Sequence, residues 1–410
     1  MTEGSAFYPV FPALKDYSWG SNDPDGAIGD ILRKNTEGEI PPGPYAELWY
    51  GDHPSGPSLL PDGSNLREQI EREKGHILGS EFADGGKLPY LLKILESQSP
   101  LSIQAHPDLD LARRLHDSDP DHYPDANHKP EIAICLRPGF GAMAGFRSAN
   151  ELIAQLKQYP ELNDVLPGLQ AASNGNARDA LKSAFAALYR MPGNSLAAIS
   201  QKLYQRIQKS PQEGRTGTEI YFLRFCDLYG FEDPGVFSIF LMNLVQFRPG
   251  ESLFMGAREP HAYLQGSIIE CMACSDNVVR GGLTSKFVDV DTLVEMLHYR
   301  MGPPDRIEPQ HIGGTVRYVP PVSDFQVWTA DFDRDSNPLQ LPLEIFPAMA
   351  VSLSGQVEIQ QAQNSFSLQP GRAVLLPRGP AEKDGPFTIV PSGKAKLVIS
   401  GPGPKQPTNL

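Results

Sequence analysis

Residues 101–108 read LSIQAHPD. In an extended strand, side chains alternate between two faces, so Ser102, Gln104 and His106 would point one way. Leu101, Ile103 and Ala105 would then face the opposite side and can be buried. A hydroxyl, an amide and an imidazole aimed at one place form either a solvated face or a site. The surrounding chain decides between them.

That chain has 410 residues, which implies two or three domains rather than one core. Apolar residues make up 40% and charged residues 21%, the balance of a globular protein rather than a disordered one. Its 38 glycines and 39 prolines suit many short strands joined by turns, so a mainly β protein is expected. The formal net charge of −13, without a Lys/Arg stripe, argues against nucleic-acid binding. A phosphorylated small molecule would need a local positive pocket set against that background. The opening MTEGSAFYPVFPALKDYSWGS lacks the basic and apolar regions of a secretory leader, and no apolar run is long enough to span a bilayer. Four cysteines (135, 226, 271 and 274) make no disulfide framework and fit a reducing cytoplasm. Cys271 and Cys274 form a lone CxxC in strand-like flanks and read as packing.

Short apolar runs at 46–52, 88–95 and 130–136 read as strands, and GSNLREQIEREKG (63–75) as a helix capped by Ser64. From Arg147 the period changes. Ser148 followed by Glu151 is a capping-box pattern. Leu181, Ala184, Phe185 and Leu188, then Leu196, Ile199, Leu203 and Ile207, fall on helical stripes, so 147–235 reads as a helical block. Strands return with FRPGESLFM (247–255) and continue to about 290. A helix, DVDTLVEMLHYR, and a Pro-rich connection at 302–309 follow. The last hundred residues have strand-turn-strand texture. From VRYVPP onward they hold no histidine, so no histidine-built metal site is expected in the C-terminal unit.

Two further polar runs join the first. In NHKPE, Lys129 and Glu131 would share a strand face with His128 on the other, and Pro130 confines the run to an edge or a strand's first residues. In EPHAYLQGSIIECMACSDNVVRGGLTSKFVDV (259–290), His261 and Tyr263 share a face, a turn is expected at Gln265–Gly266, and Glu270, Asp276, Arg280 and Lys286 follow. Gln104, His106, Glu131 and His261 together offer two imidazoles, a carboxylate and an amide oxygen. That donor set suits Zn²⁺ and is tolerable for Fe²⁺, Mn²⁺ or Co²⁺.

LSIQAHPD, PDANHKPEIA and the 259–290 run resemble the signature stretches of type I mannose-6-phosphate isomerases, also called phosphomannose isomerases. YSWGS (17–21), AELWYGDHPSGPS (46–58), GFRSANEL (145–152) and FRPGESLFM support the resemblance in the expected order. It implies two cupin-like jelly-roll barrels with an inserted α-helical domain: 1–146 plus 236–300 as the metal-bearing barrel, 147–235 as the insertion, and 301–410 as a second barrel without metal. It also implies that Gln104, His106, Glu131 and His261 hold one Zn²⁺ per chain and that Arg280 is the active-site arginine. The implied reaction interconverts mannose 6-phosphate and fructose 6-phosphate through a cis-enediol, supplying mannose for GDP-mannose synthesis in the cytoplasm.

The reaction needs a base for a carbon acid, stabilisation of the enediolate and a phosphate clamp. Glu270, Asp276, Tyr263, Lys129 and zinc-bound water are candidates for the base. Arg280, permanently protonated, suits charge balance instead. Arg280 and Lys286, with Lys129 and Ser102, are the expected phosphate ligands. A monomer is expected. Three positions depart from the family wording: Arg258 where a small polar residue is common, Ser267 where Asp follows Gly, and Ser285 where Pro precedes Lys. Two rival readings remain. One is a non-haem iron oxygenase, opposed by Gln104 and the Lys/Arg cluster. The other is an inactive bicupin that binds sugar phosphates.

Overall fold

In the computed structural model, which describes residues 4–35 and 40–405, the apolar run near residue 90 forms the strand Tyr90–Ser97, buried along its whole length. A strand covered on both faces needs two packing partners. Tyr90, Leu92 and Ile94 join one cluster with Val327, Met349, Val351, Leu375 and Val398 of the C-terminal unit. Leu91 packs on the opposite side with Trp49 and Met272, and Leu95 with Phe140 and Tyr263. The single lysine in this run, Lys93, is also buried.

The hub of the larger sheet is one strand, His261–Ala273. Its first residues pair with Gln104–Ala105 and Phe140–Phe146. Its later residues pair with Tyr90–Ser97 and Glu131–Cys135. The expected turn at Gln265–Gly266 is therefore absent, and the chain runs straight on through a bulge. The register with Phe140–Phe146 slips between Tyr263 and Gln265, and Gly266 takes φ +105°. A Cβ on Gly266 would lie 2.6 Å from the Phe140 Cα, so glycine lets the two backbones close up. The slip matters for function. With strict alternation Tyr263 and Glu270 would face opposite sides; the bulge returns both to one face.

The helices of 149–241 bury their stripes against this sheet. Leu181, Ala184, Phe185, Leu188, Leu196, Leu203 and Ile207 share a cluster with Ile103 and Ala105, while Ile199 is only partly covered. Ser148 and Glu151 form the capping box. The 63–75 segment is a helix, but its cap is Asn65, which accepts from the Glu68 amide at 2.8 Å, because the Ser64 hydroxyl is engaged by Asp62. Leu101 also departs from expectation. Regular pairing covers only Gln104–Ala105, so alternation fails before it and Leu101 lines a cleft instead of joining Ile103 and Ala105.

The C-terminal unit stacks a seven-stranded sheet on a four-stranded one, counted among the described residues. The N-terminal strand Tyr8–Val10 completes the larger of these sheets, pairing with Ala373–Leu376. Trp328, Phe332, Val357, Ile359 and Phe387 fill the space between. His311, just ahead of the histidine-free strands, lies exposed on Gln310–Ile312. All four cysteines are free and buried. No helix among the described residues is long and apolar enough to cross a membrane.

Replacing Gly266 with alanine adds both backbone strain and a clash with Phe140. It is expected to destabilise the protein by about 3 kcal/mol or more, read as a fall in the urea midpoint. An unchanged midpoint would show that the bulge does not need glycine.

Candidate metal centre and cleft

His106 leaves the short strand Gln104–Ala105, Glu131 opens the strand Glu131–Cys135, and His261 begins the hub strand. Three separate strands thus bring their chemistry to one point. Glu131 Oε2 lies 3.4 Å from His106 Nε2 and 3.3 Å from His261 Nε2. A tetrahedral ion with bonds of about 2.0–2.1 Å sets neighbouring donor atoms about 3.3–3.4 Å apart, so the spacing fits. These same three atoms are buried without a hydrogen-bond partner. Buried polar atoms are ordinarily satisfied, and three orphans facing each other describe a cation's seat.

The other ring nitrogens settle the tautomers. His106 Nδ1 donates to the Asn277 carbonyl at 2.8 Å and His261 Nδ1 to the Glu259 carbonyl at 3.3 Å. Both Nε2 atoms are therefore left with bare lone pairs, as metal ligation requires. Burial, partly offset by Glu131, pushes the His106 pKa down to about 4. Burial alone would raise Glu131, but Lys129 at 3.0 Å and then His106 more than offset it and hold the carboxylate well below its usual range. Gln104 lies beside His261 in one ladder and beside Arg280 in the next.

Above this cluster opens a cleft of about 530 Å³. Its walls carry Ser102, Gln104, Lys129, Glu131, Tyr263, Glu270, Asp276, Arg280 and Lys286. The sequence-derived site residues converge here, with His106 and His261 buried. His128 points elsewhere, as its opposite parity requires, and meets Asp324 at 3.1 Å. Cys271 also lies apart, bonded to Ser400.

Tyr263 donates to Glu270 Oε1 at 2.8 Å. Burial, then the charges of Glu270 and Glu131, raises the tyrosine well above its ordinary range, so it stays protonated. Burial also raises Glu270, against the pull of Lys93. Asp276 is held by Ser55 Oγ at 3.0 Å and lies 3.5 Å from His53 Nε2.

Lys93 and Glu47 were not singled out from the sequence. Lys93 Nζ meets Glu270 at 2.9 Å and Glu47 at 3.5 Å, and these carboxylates outweigh burial to raise its pKa. Trp49 donates to Glu47. A lone lysine inside the apolar run YLLKIL was the available signal, since an unpaired lysine is almost never fully buried. A carbonyl that orients an imidazole, such as that of Asn277, leaves no mark in sequence.

Two bare imidazole nitrogens and a carboxylate oxygen beneath an open polar cleft form a candidate metal centre of an enzyme. Comparison with known proteins gives its kind. Residues 7–149 match the family description "Phosphomannose isomerase type I, catalytic domain". The chain is 36% identical over 383 residues to mannose-6-phosphate isomerase 1 of Arabidopsis thaliana, covering 89% of this chain and 88% of that one. It is 37% identical over 345 residues to mannose-6-phosphate isomerase of Homo sapiens, covering 78% and 81%. Among solved structures it resembles Salmonella typhimurium mannose 6-phosphate isomerase bound to its substrate and a zinc atom, with a TM-score of 0.82, 27% identity, and 98% and 100% coverage. The chain belongs to the type I phosphomannose isomerase family.

The lowered imidazole values carry a pH consequence. Burial holds His106 and also His53 at about 4, below the value of about 6.5 in an unfolded chain. Their contribution to stability is complete above about 6.5 and is lost as pH falls toward 4, because the unfolded imidazoles take protons that the buried ones refuse. Metal-free protein is expected to lose melting temperature already between about pH 6.5 and 5.5, above the ordinary carboxylate range. Asp52, which burial raises to about 6, takes up its proton in the folded state and reduces the net fall. A melting temperature that rises from about pH 6.5 to 5.5 would contradict the imidazole values.

Proposed function

We propose that the chain is a zinc-dependent mannose-6-phosphate isomerase that interconverts mannose 6-phosphate and fructose 6-phosphate. The observation carrying the metal part is the trio of orphaned donor atoms at tetrahedral spacing. Gln104, adjoining His261, is the proposed fourth protein ligand. When bound, the zinc would act as a Lewis acid on the sugar's carbonyl or hydroxyl oxygen.

The chain's own residues do the rest. The reaction moves a proton between C2 and C1 through a cis-enediol, so one group must take the proton and return it. Glu270 suits that role, because burial raises its proton affinity while Lys93 and Tyr263 fix its orientation. Tyr263, held protonated, fits a hydrogen-bond donor rather than a base. Lys129 is tied to Glu131, which makes it a group for orientation and charge balance. Asp276, steadied by Ser55, is placed to receive a sugar hydroxyl.

Arg280 and Lys286 differ from the other cleft cations. Lys93 and Lys129 each pair with a carboxylate, whereas among the described residues neither Arg280 nor Lys286 forms an ion pair. An uncompensated arginine and lysine supply the local positive pocket that a phosphate needs on an acidic protein. Ser102 lines the same cleft. These assignments favour catalysis over an inactive binder, since proton-transfer groups and phosphate groups share one cavity. We further propose two jelly-roll barrels, with 147–235 inserted into the first. The expected bounds 1–146 plus 236–300 apply only after the strand Tyr8–Val10, which belongs with 301–410 because it pairs with Ala373–Leu376. The chain would act as a monomer in the cytoplasm, feeding GDP-mannose synthesis. Four free buried cysteines agree with a reducing compartment.

The deciding experiment follows mannose 6-phosphate turnover in chelator-stripped and zinc-restored protein. Activity is expected to vanish on stripping and return with zinc; absence of turnover in zinc-replete protein would favour the binding paralogue. Lys286→Ala is expected to retain zinc while raising KM about tenfold, the loss of one charge-assisted contact. Glu131→Ala is expected to lose both metal and activity. Full zinc content in that variant would overturn the ligand set.

A further inference from the structure

We propose that Arg258 is a positioning residue that ties the two imidazoles of the centre together, an inference that rests on the metal reading above. Its backbone sits at φ +64°, a left-handed conformation that glycine and asparagine adopt readily and arginine does not. Such a conformation persists only where surrounding contacts over-determine it. Those contacts are specific. The Arg258 amide donates to the His106 carbonyl at 2.7 Å, and its own carbonyl accepts from the His298 amide at 3.2 Å. Its guanidinium meets Asp108 Oδ2 at 2.7 Å. Asp108 Oδ1 in turn accepts from the Leu111 amide and caps the helix Leu109–Ser118.

Arg258 is thus bonded to the carbonyl of one histidine and to the carboxylate two residues beyond it. Its chain then continues through Glu259, whose carbonyl fixes His261 Nδ1, into His261 itself. One residue joins the loop leaving His106 to the strand entering His261. A small polar residue at 258 would meet the backbone demand without the reach of a guanidinium. The Arg258–Asp108 pair is partly exposed, with the two side chains at 24% and 40%. Here Nε is buried without a partner, so the guanidinium is held in place at the expense of one of its own hydrogen bonds. Groups that orient metal-bound histidines typically change metal affinity 10–100-fold when removed.

The test compares zinc-loaded wild type, Arg258→Ala, Arg258→Lys and Asp108→Asn. Each is mixed with excess chromophoric chelator, and zinc release is timed by absorbance; KM and kcat are measured alongside. Asparagine caps a helix as well as aspartate does, so Asp108→Asn weakens the ion pair while sparing the helix. Arg258→Ala and Asp108→Asn are expected to release zinc about tenfold faster, with Arg258→Lys between them and wild type and with KM for the sugar phosphate unchanged. Wild-type release rates in both Arg258→Ala and Asp108→Asn would overturn the inference while leaving the metal reading intact. A raised KM without faster release would also overturn it. A wild-type protein that takes up no zinc would overturn both.

Discussion

The site depends on one strand serving two sets of neighbours. His261 must lie beside Gln104 and Phe140–Phe146, while Glu270 must lie between Tyr90–Ser97 and Glu131–Cys135. A strict period of two would send Tyr263 and Glu270 to opposite faces. The bulge at Gly266 resolves that conflict without breaking the chain, so His261 of the candidate metal site and the hydrogen-bonded pair Tyr263–Glu270 share a single strand. A site assembled on strands is held more firmly than one assembled on loops.

Charge is arranged around that element in two layers. Deep in the cleft, Lys93 is shared by Glu47 and Glu270, and Lys129 is paired with Glu131, so each of these buried ions has a partner. Nearer the mouth, Arg280 and Lys286 stand without carboxylates among the described residues. The protein carries −13 overall, yet in its cleft four cations (Lys93, Lys129, Arg280, Lys286) face four carboxylates (Glu47, Glu131, Glu270, Asp276), and Arg280 and Lys286 are left outside the ion pairs where an anion would enter. Lys129 also keeps Glu131 ionised beside the two imidazoles, so this carboxylate is in its ligating state before any cation arrives.

Much of this was legible in local sequence. The alternation in LSIQAHPD placed Gln104 and Ser102 on the cleft, and NHKPE placed Lys129 beside Glu131 with His128 turned away. The capping box at Ser148 was likewise visible, because a cap is written within four residues. What escaped was long-range. Gly266 reads as a turn until Phe140 is known to press against it. Asn65 and Ser64 compete for one cap, and only the neighbouring Asp62 decides between them. Lys93 and Glu47 lie in apolar runs that read as core, and their pairing with Glu270 joins distant strands. Leu101 missed its expected face because regular pairing lasts only two residues there.

The pairing of Tyr8–Val10 with Ala373–Leu376 has a consequence for how the molecule is made. The earlier strand has to wait for one synthesised far downstream before its hydrogen bonds can close. The hub strand imposes a similar delay, since Tyr90–Ser97 stays without that neighbour until the helical segment has emerged. Helices built from local contacts can form meanwhile, while exposed strand edges remain open to wrong partners. The topology that brings distant residues into one cleft therefore also lengthens the time for which the nascent chain carries unpaired strand edges.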